Sequence, residues 1–197
     1  MDFSMLSPWA VGLVFITSLS LLLSHDWRVS IASLGLQYLG VFMLVAVSWP
    51  INLAVVKLVA GWMSASILGV TRGVPGGRIA VERIWPTEWL FRVMAASLVV
   101  LAVFSLTPQF EEIVPNISPY QVGGGLLLIG MGLLHHALTQ HALQALLGLM
   151  TVLSGFEILY AVVESSTLVA GLLAVINLGI ALAGAYLLAT YSIEGSI

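Results

Sequence analysis

From Ile113 to Phe156 the chain carries no Asp, Glu, Lys or Arg, and beyond Glu164 the next charge is Glu194. Leu, Val, Ile, Ala and Gly fill these runs in blocks of about 20 residues, the length that crosses a bilayer as a helix. In lipid every backbone N–H and C=O must be satisfied within the protein, and a helix does this inside one segment. Composition agrees. Hydrophobic residues make up 60% of the chain and charged residues 8%, against roughly 25% charged in a soluble domain. The chain therefore reads as an all-α polytopic membrane protein whose first partner is the lipid bilayer.

Several functional classes are excluded early. The absence of cysteine rules out a disulfide frame, a thiolate zinc site and a cysteine-ligated iron–sulfur cluster. No P-loop, dinucleotide fingerprint or nucleophile elbow occurs. Neither a cofactor nor a metal nor a nucleic-acid partner is expected, and no residue is assigned as catalytic. The net charge of −3 says little about partners, because in a membrane protein the placement of charge outweighs its sum.

About seven transmembrane helices are expected. Pro8 to Ser24 reads as a retained first helix, since no basic residue precedes it as a secretory signal would require. The later spans fall at about Val29 to Ser48, Ile51 to Val70, Glu88 to Leu106, Tyr120 to Leu138, His141 to Val163 and Ser166 to Tyr191. Between spans three and four lies a polar loop with Arg72, Arg78, Glu82 and Arg83, in which IAVERIW has the pattern of a short surface helix. The division expected is a four-helix part over 1–106, an acidic, proline-punctuated exterior loop over 107–119, and a three-helix part over 120–197. The last three spans are joined by a few residues each and should pack as antiparallel neighbours. Arg28, Arg72, Arg78 and Arg83 all fall in loops on one side, and the opposite loops have no Lys or Arg. The positive-inside rule then puts the N-terminus outside and the C-terminus in the cytoplasm. Arg92, in the first turn of span four, is expected to snorkel to the cytoplasmic surface.

Charges inside the spans carry the functional signal. An acidic residue at a helix centre in lipid costs about 3 kcal/mol, so it normally faces a bundle interior. Glu157 is such a residue, and Glu164 follows about two turns later, at a loop edge. Lys57 lies inside span three. Counting from the helix ends puts Lys57 and Glu157 both roughly 10 Å below the outer surface, where they can pair or exchange a proton. Asn177 is the only polar amide in the last span. His135, His136 and His141 cluster at the turn between spans five and six, with His25 on the same side. Their spacing fits neither an HExxH metal site nor haem ligation, and their pKa lies near physiological pH. The proton or ion path candidates are Glu157, Lys57, Asn177, Glu164, His136 and His141. The glycines of GGGLLLIGMG, with Gly148, Gly155, Gly171, Gly179 and Gly184, permit close helix contact. Asn116-Ile117-Ser118 matches a glycosylation sequon by chance.

SWPINLAVVK, with Trp49 ahead of the intramembrane Lys57, resembles the third span of component E proteins of hydrogenase-4-type complexes. The C-terminal part of those proteins is similar to the K-type component of complex I and the C-type component of Mrp-type antiporters. GLMTVLSGFEILYAVVE and AVINLGIALAGAYLL look like that part. Alignment on Gly155 puts Leu153 where the family carboxylate stands, with Glu157 one turn later on the same face. The second K-type glutamate falls at or near Asn177, which cannot ionise. The resemblance implies a non-redox subunit, not catalytic alone, that helps larger antiporter-like membrane subunits to move protons or cations. It implies a multi-pass protein of the inner (plasma) membrane or of an energy-transducing internal membrane. The alternatives are an assembly scaffold, whose buried charges only fix helix register, and a free-standing small-solute transporter.

Overall fold

The turns show how this sequence divides itself into helices. The computed structural model describes residues 3–24, 26–72, 86–114 and 117–194. Among them a 3₁₀ turn (Phe3–Leu6) leads into seven helices: α1 (Ser7–Leu23), α2 (Trp27–Val45), α3 (Ile51–Arg72), α4 (Pro86–Ile113), α5 (Pro119–Ala137), α6 (Ala142–Val163) and α7 (Thr167–Glu194). Asp26 caps α2 by accepting a hydrogen bond from the Arg28 backbone N–H at 2.9 Å. Pro119 opens α5 at a position where its missing N–H costs nothing. At the other end of α2, the Trp49 indole N–H donates to the Glu164 carbonyl at 2.8 Å, tying the end of α2 to the end of α6. The arginine-rich loop with Arg78, Glu82, Arg83 and the IAVERIW segment, as well as His25 and Asn116, lies outside the described residues.

Five helices, α2, α3, α4, α6 and α7, contain stretches long and apolar enough to cross a membrane, and α1 is a shorter apolar helix. α5 equals α2 in length at 19 residues, but Gln121, its glycines and its two histidines lower its hydropathy. The expected exterior loop differs in one respect. α4 does not stop near Leu106 but continues through Pro108 to Ile113. Gln109, Glu111 and Glu112 are good helix formers, and one missing N–H in an apolar setting does not force an end.

The helices form two layers, α1–α2–α3 and α5–α6–α7, with α1 on α5, α2 on α6, α3 on α7, and α4 along the outer side of α5. Two hydrogen bonds set the register between α2 and α6. Gln144 Nε2 donates to Ser30 Oγ and Gln37 Nε2 donates to Thr151 Oγ1, both at 3.2 Å. Both join residues 114 apart, as two parallel helices in constant register require.

Within the second layer, α5 and α6 pack most closely. A Cβ added at Gly155 would lie 2.8 Å from the Ile129 amide, and one at Gly132 would lie 2.8 Å from the Val152 amide. The paired glycines Gly125 with Gly155, and Gly132 with Gly148, recur seven residues apart on each helix, so backbone meets backbone. Gly171 and Gly179 correct the expectation from sequence, because a Cβ at either meets open space. The neighbourhood of The reason is a small-residue stripe on each: Ala54, Ala60, Gly61, Ser64 and Ala65 on α3, and Ala170, Ala174 and Ala181 on α7, all buried.

Candidate functional site

Lys57 from α3 and Glu157 from α6 form an ion pair between the two layers. Lys57 is 4%, Glu157 1% and Asn177 0% exposed. Two isolated charges at this depth would be very costly, so their pairing and hydrogen bonding explain how the fold holds them. Asn177 of α7 donates from Nδ2 to Glu157 Oε1 at 3.4 Å, and its Oδ1 accepts from the Tyr38 hydroxyl at 3.2 Å. The Tyr38 ring of α2 also lies under the ammonium, its centroid 5.4 Å from Lys57 Nζ. Gly61 makes room for that ring, since a Cβ there would collide with it. Four helices thus each send one polar side chain to a single point.

Helix periodicity explains why these side chains converge. Lys57 shares the buried stripe of α3 with Ala54, Ala60, Ser64 and Leu68. Asn177 shares that of α7 with Ala170, Ala174 and Ala181. Glu157 falls beside Ser154 and Ile158 on the buried face of α6. The amide of Asn177 can donate to a carboxylate and accept from a phenol at once, as it does here. Such a group can hold one mobile proton.

The other sequence candidates lie elsewhere. Glu164 ends α6, where its Oε1 accepts from the Ser166 amide at 2.9 Å and its side chain does not reach the pair. His136 and His141 are exposed, and His136 Nδ1 contacts the Ala145 carbonyl at 3.1 Å. Among the described histidines the one that turns inward is His135, whose Nε2 meets Gln144 Oε1 at 3.0 Å. Arg92 does not snorkel into water. It is buried and donates from Nη1 to the Leu22 carbonyl at 2.8 Å, next to the C-terminal end of α1. A guanidinium there offsets the negative end of the helix dipole and satisfies a terminal carbonyl.

The roles of Tyr38, Gln37, Thr151, Gln144 and His135 escape a residue-by-residue search. For Gln37, Thr151 and Gln144 the signal is heptad spacing: Ser30 with Gln37 on α2, and Gln144 with Thr151 on α6. Among the described residues no group of three or more His, Cys, Asp or Glu is placed to hold a metal ion. No family model, no curated protein and no solved structure matches the chain.

Proposed function

We propose that the chain is a non-redox membrane subunit that helps a larger complex to move protons, with Lys57 and Glu157 as the proton-holding group. The observation that carries this reading is the buried ion pair, joined by Asn177 and Tyr38, inside an otherwise apolar bundle. A neighbouring protein that alters its charge or shape can tip such a pair between proton-bound and proton-free states. The resemblance of SWPINLAVVK and GLMTVLSGFEILYAVVE to hydrogenase-4 component E-type and complex I K-type proteins points to a complex I-like, group 4 hydrogenase-like or Mrp-type host. Leu98, Leu101 and Phe104 on α4, with Leu168, Leu172 and Val175 on α7, are exposed apolar residues that suit lipid or larger membrane partners.

Extraction in mild detergent should bring the chain down with larger multi-span proteins, and the isolated chain should show no redox or hydrolytic activity. A solitary protein that catalyses solute uptake would replace this reading with that of a free-standing transporter. A scaffold would also copurify, but proton flux would not depend on Glu157.

Seven spans with the N-terminus outside, in a cell inner membrane, complete the proposal. Arginine placement supports that orientation. A single cysteine between Arg72 and Arg83 should react from the cytoplasmic side, and one between Pro108 and Pro119 from the outer side. Reaction of both from one face would remove the seven-span arrangement.

A further inference from the structure

The polar side chains between the layers are not spread evenly about the ion pair. Towards the His135 end, α2 and α6 face each other through Ser30 and Gln144, then Gln37 and Thr151. Gln144 also meets His135, so the polar series starts where the turn between α5 and α6 reaches the surface. From Gln144 to Glu157 it covers about 20 Å of helix. Towards the Glu164 end, the same heptad positions hold Leu44 and Ile158, and Leu53, Ala54, Ala161 and Leu173 close the space around them. Among the described residues the one buried amide on that side, Gln121 of α5, is held by protein, donating from Nε2 to the Leu44 carbonyl at 2.9 Å and to Ser48 Oγ at 2.8 Å.

Gln37 Oε1, Ser64 Oγ and His135 Nδ1 are buried and receive no hydrogen bond from the protein. All three belong to the His135 side of the ion pair: Ser64 is two turns beyond Lys57 on α3, and Gln37 stands opposite Thr151. Buried polar atoms left without protein partners are ordinarily met by internal water. Among the described residues, three such atoms on one side and none on the other indicate where that water goes.

We propose that a hydrated lane between α2 and α6, lined by Ser30, Gln144, Gln37 and Thr151, connects the Lys57–Glu157 pair to the His135 end of the bundle alone. The pair then exchanges protons with one side of the membrane, and the apolar seal blocks a leak to the other. This rests on the proton-holding role argued above. A proton arriving along the lane bonds to a Glu157 carboxylate oxygen, giving a neutral acid beside the Lys57 ammonium. It leaves when that O–H bond breaks and water takes it back. The titratable or charged groups facing the route are Lys57, Glu157, Tyr38 and His135, with Arg92 close enough to His135 to act on it electrostatically.

The chain has no cysteine, so single thiols report on water directly. Thiols react as thiolates, which form only where water reaches. Thr151→Cys and Ser154→Cys probe the lane, and Ile158→Cys and Ala161→Cys probe the seal, each in the full chain in native membranes. With a small water-soluble methanethiosulfonate, the lane pair should react at least about tenfold faster than the seal pair. Equal rates in the two pairs, or faster reaction at Ala161→Cys, would overturn the lane. The lane and the proposed function fail separately. A fast lane with proton flux indifferent to Glu157→Gln keeps the lane and removes the function. A slow lane with flux that needs Glu157 removes the lane alone.

Discussion

Lys57→Met and Glu157→Gln are each expected to destabilise the protein, and the double variant to be less destabilised than the sum of the two. Removing one partner of a buried ion pair strands the other, at a cost of up to about 3–5 kcal/mol. Removing both leaves no buried charge, so most of that cost disappears. Lys57→Met is the harsher single change. It leaves the Glu157 carboxylate with only the 3.4 Å hydrogen bond from Asn177. Glu157→Gln keeps the shape and the capacity to accept that bond. Thermal unfolding in detergent, read across the two single variants and the double variant, gives the coupling directly. Strict additivity would mean that the two side chains do not meet.

Gly155→Val should be the most damaging single substitution away from the ion pair. Its side chain would be built into the space occupied by the Gly125 carbonyl and the Ile129 amide, which are backbone atoms and cannot rotate aside. Gly155→Ala should cost about 1–3 kcal/mol through forced separation of α5 and α6, and Gly155→Val more. Gly171→Ala is the control, because a Cβ there meets nothing within 4 Å, and alanine favours a helix over glycine by nearly 1 kcal/mol. The amount of folded protein recovered from membranes should fall sharply for Gly155→Val and hold or rise for Gly171→Ala. Equal losses at both positions would contradict the close α5–α6 contact.

Much of the architecture can be read from the sequence because lipid leaves few choices. An uncharged run such as Ile113–Phe156 contains helices, with proline, asparagine and serine at the break before α5 and Thr139, Gln140 and His141 at the one before α6. The end of α4 is less legible, since Pro108 reads as a stop while Gln109, Glu111 and Glu112 read as helix. Depth counted from the helix ends singles out Lys57 and Glu157 as residues at one level. It carries no information on rotation about each helix axis. That is why the sequence does not separate His135, which turns inward, from His136, which faces out, and why Tyr38 and Gln37 look like incidental polar residues until α2 is set against α6. Glycine content has the same ambiguity. Gly155 and Gly171 look alike in sequence, and only the neighbour each faces makes one a contact point and the other a bare surface.

Proton flux in membrane vesicles carrying the native assembly is the most direct test of the ion pair as a proton-holding group. Wild type, Glu157→Gln and Glu157→Asp are compared at matched abundance of the chain, so that loss of protein is not read as loss of transport. Glu157→Gln should lower flux by about tenfold or more, as expected when a group that transfers a proton is removed, and Glu157→Asp should fall between it and wild type. Full flux in Glu157→Gln at matched abundance would contradict the proposal and leave the pair with a structural role only.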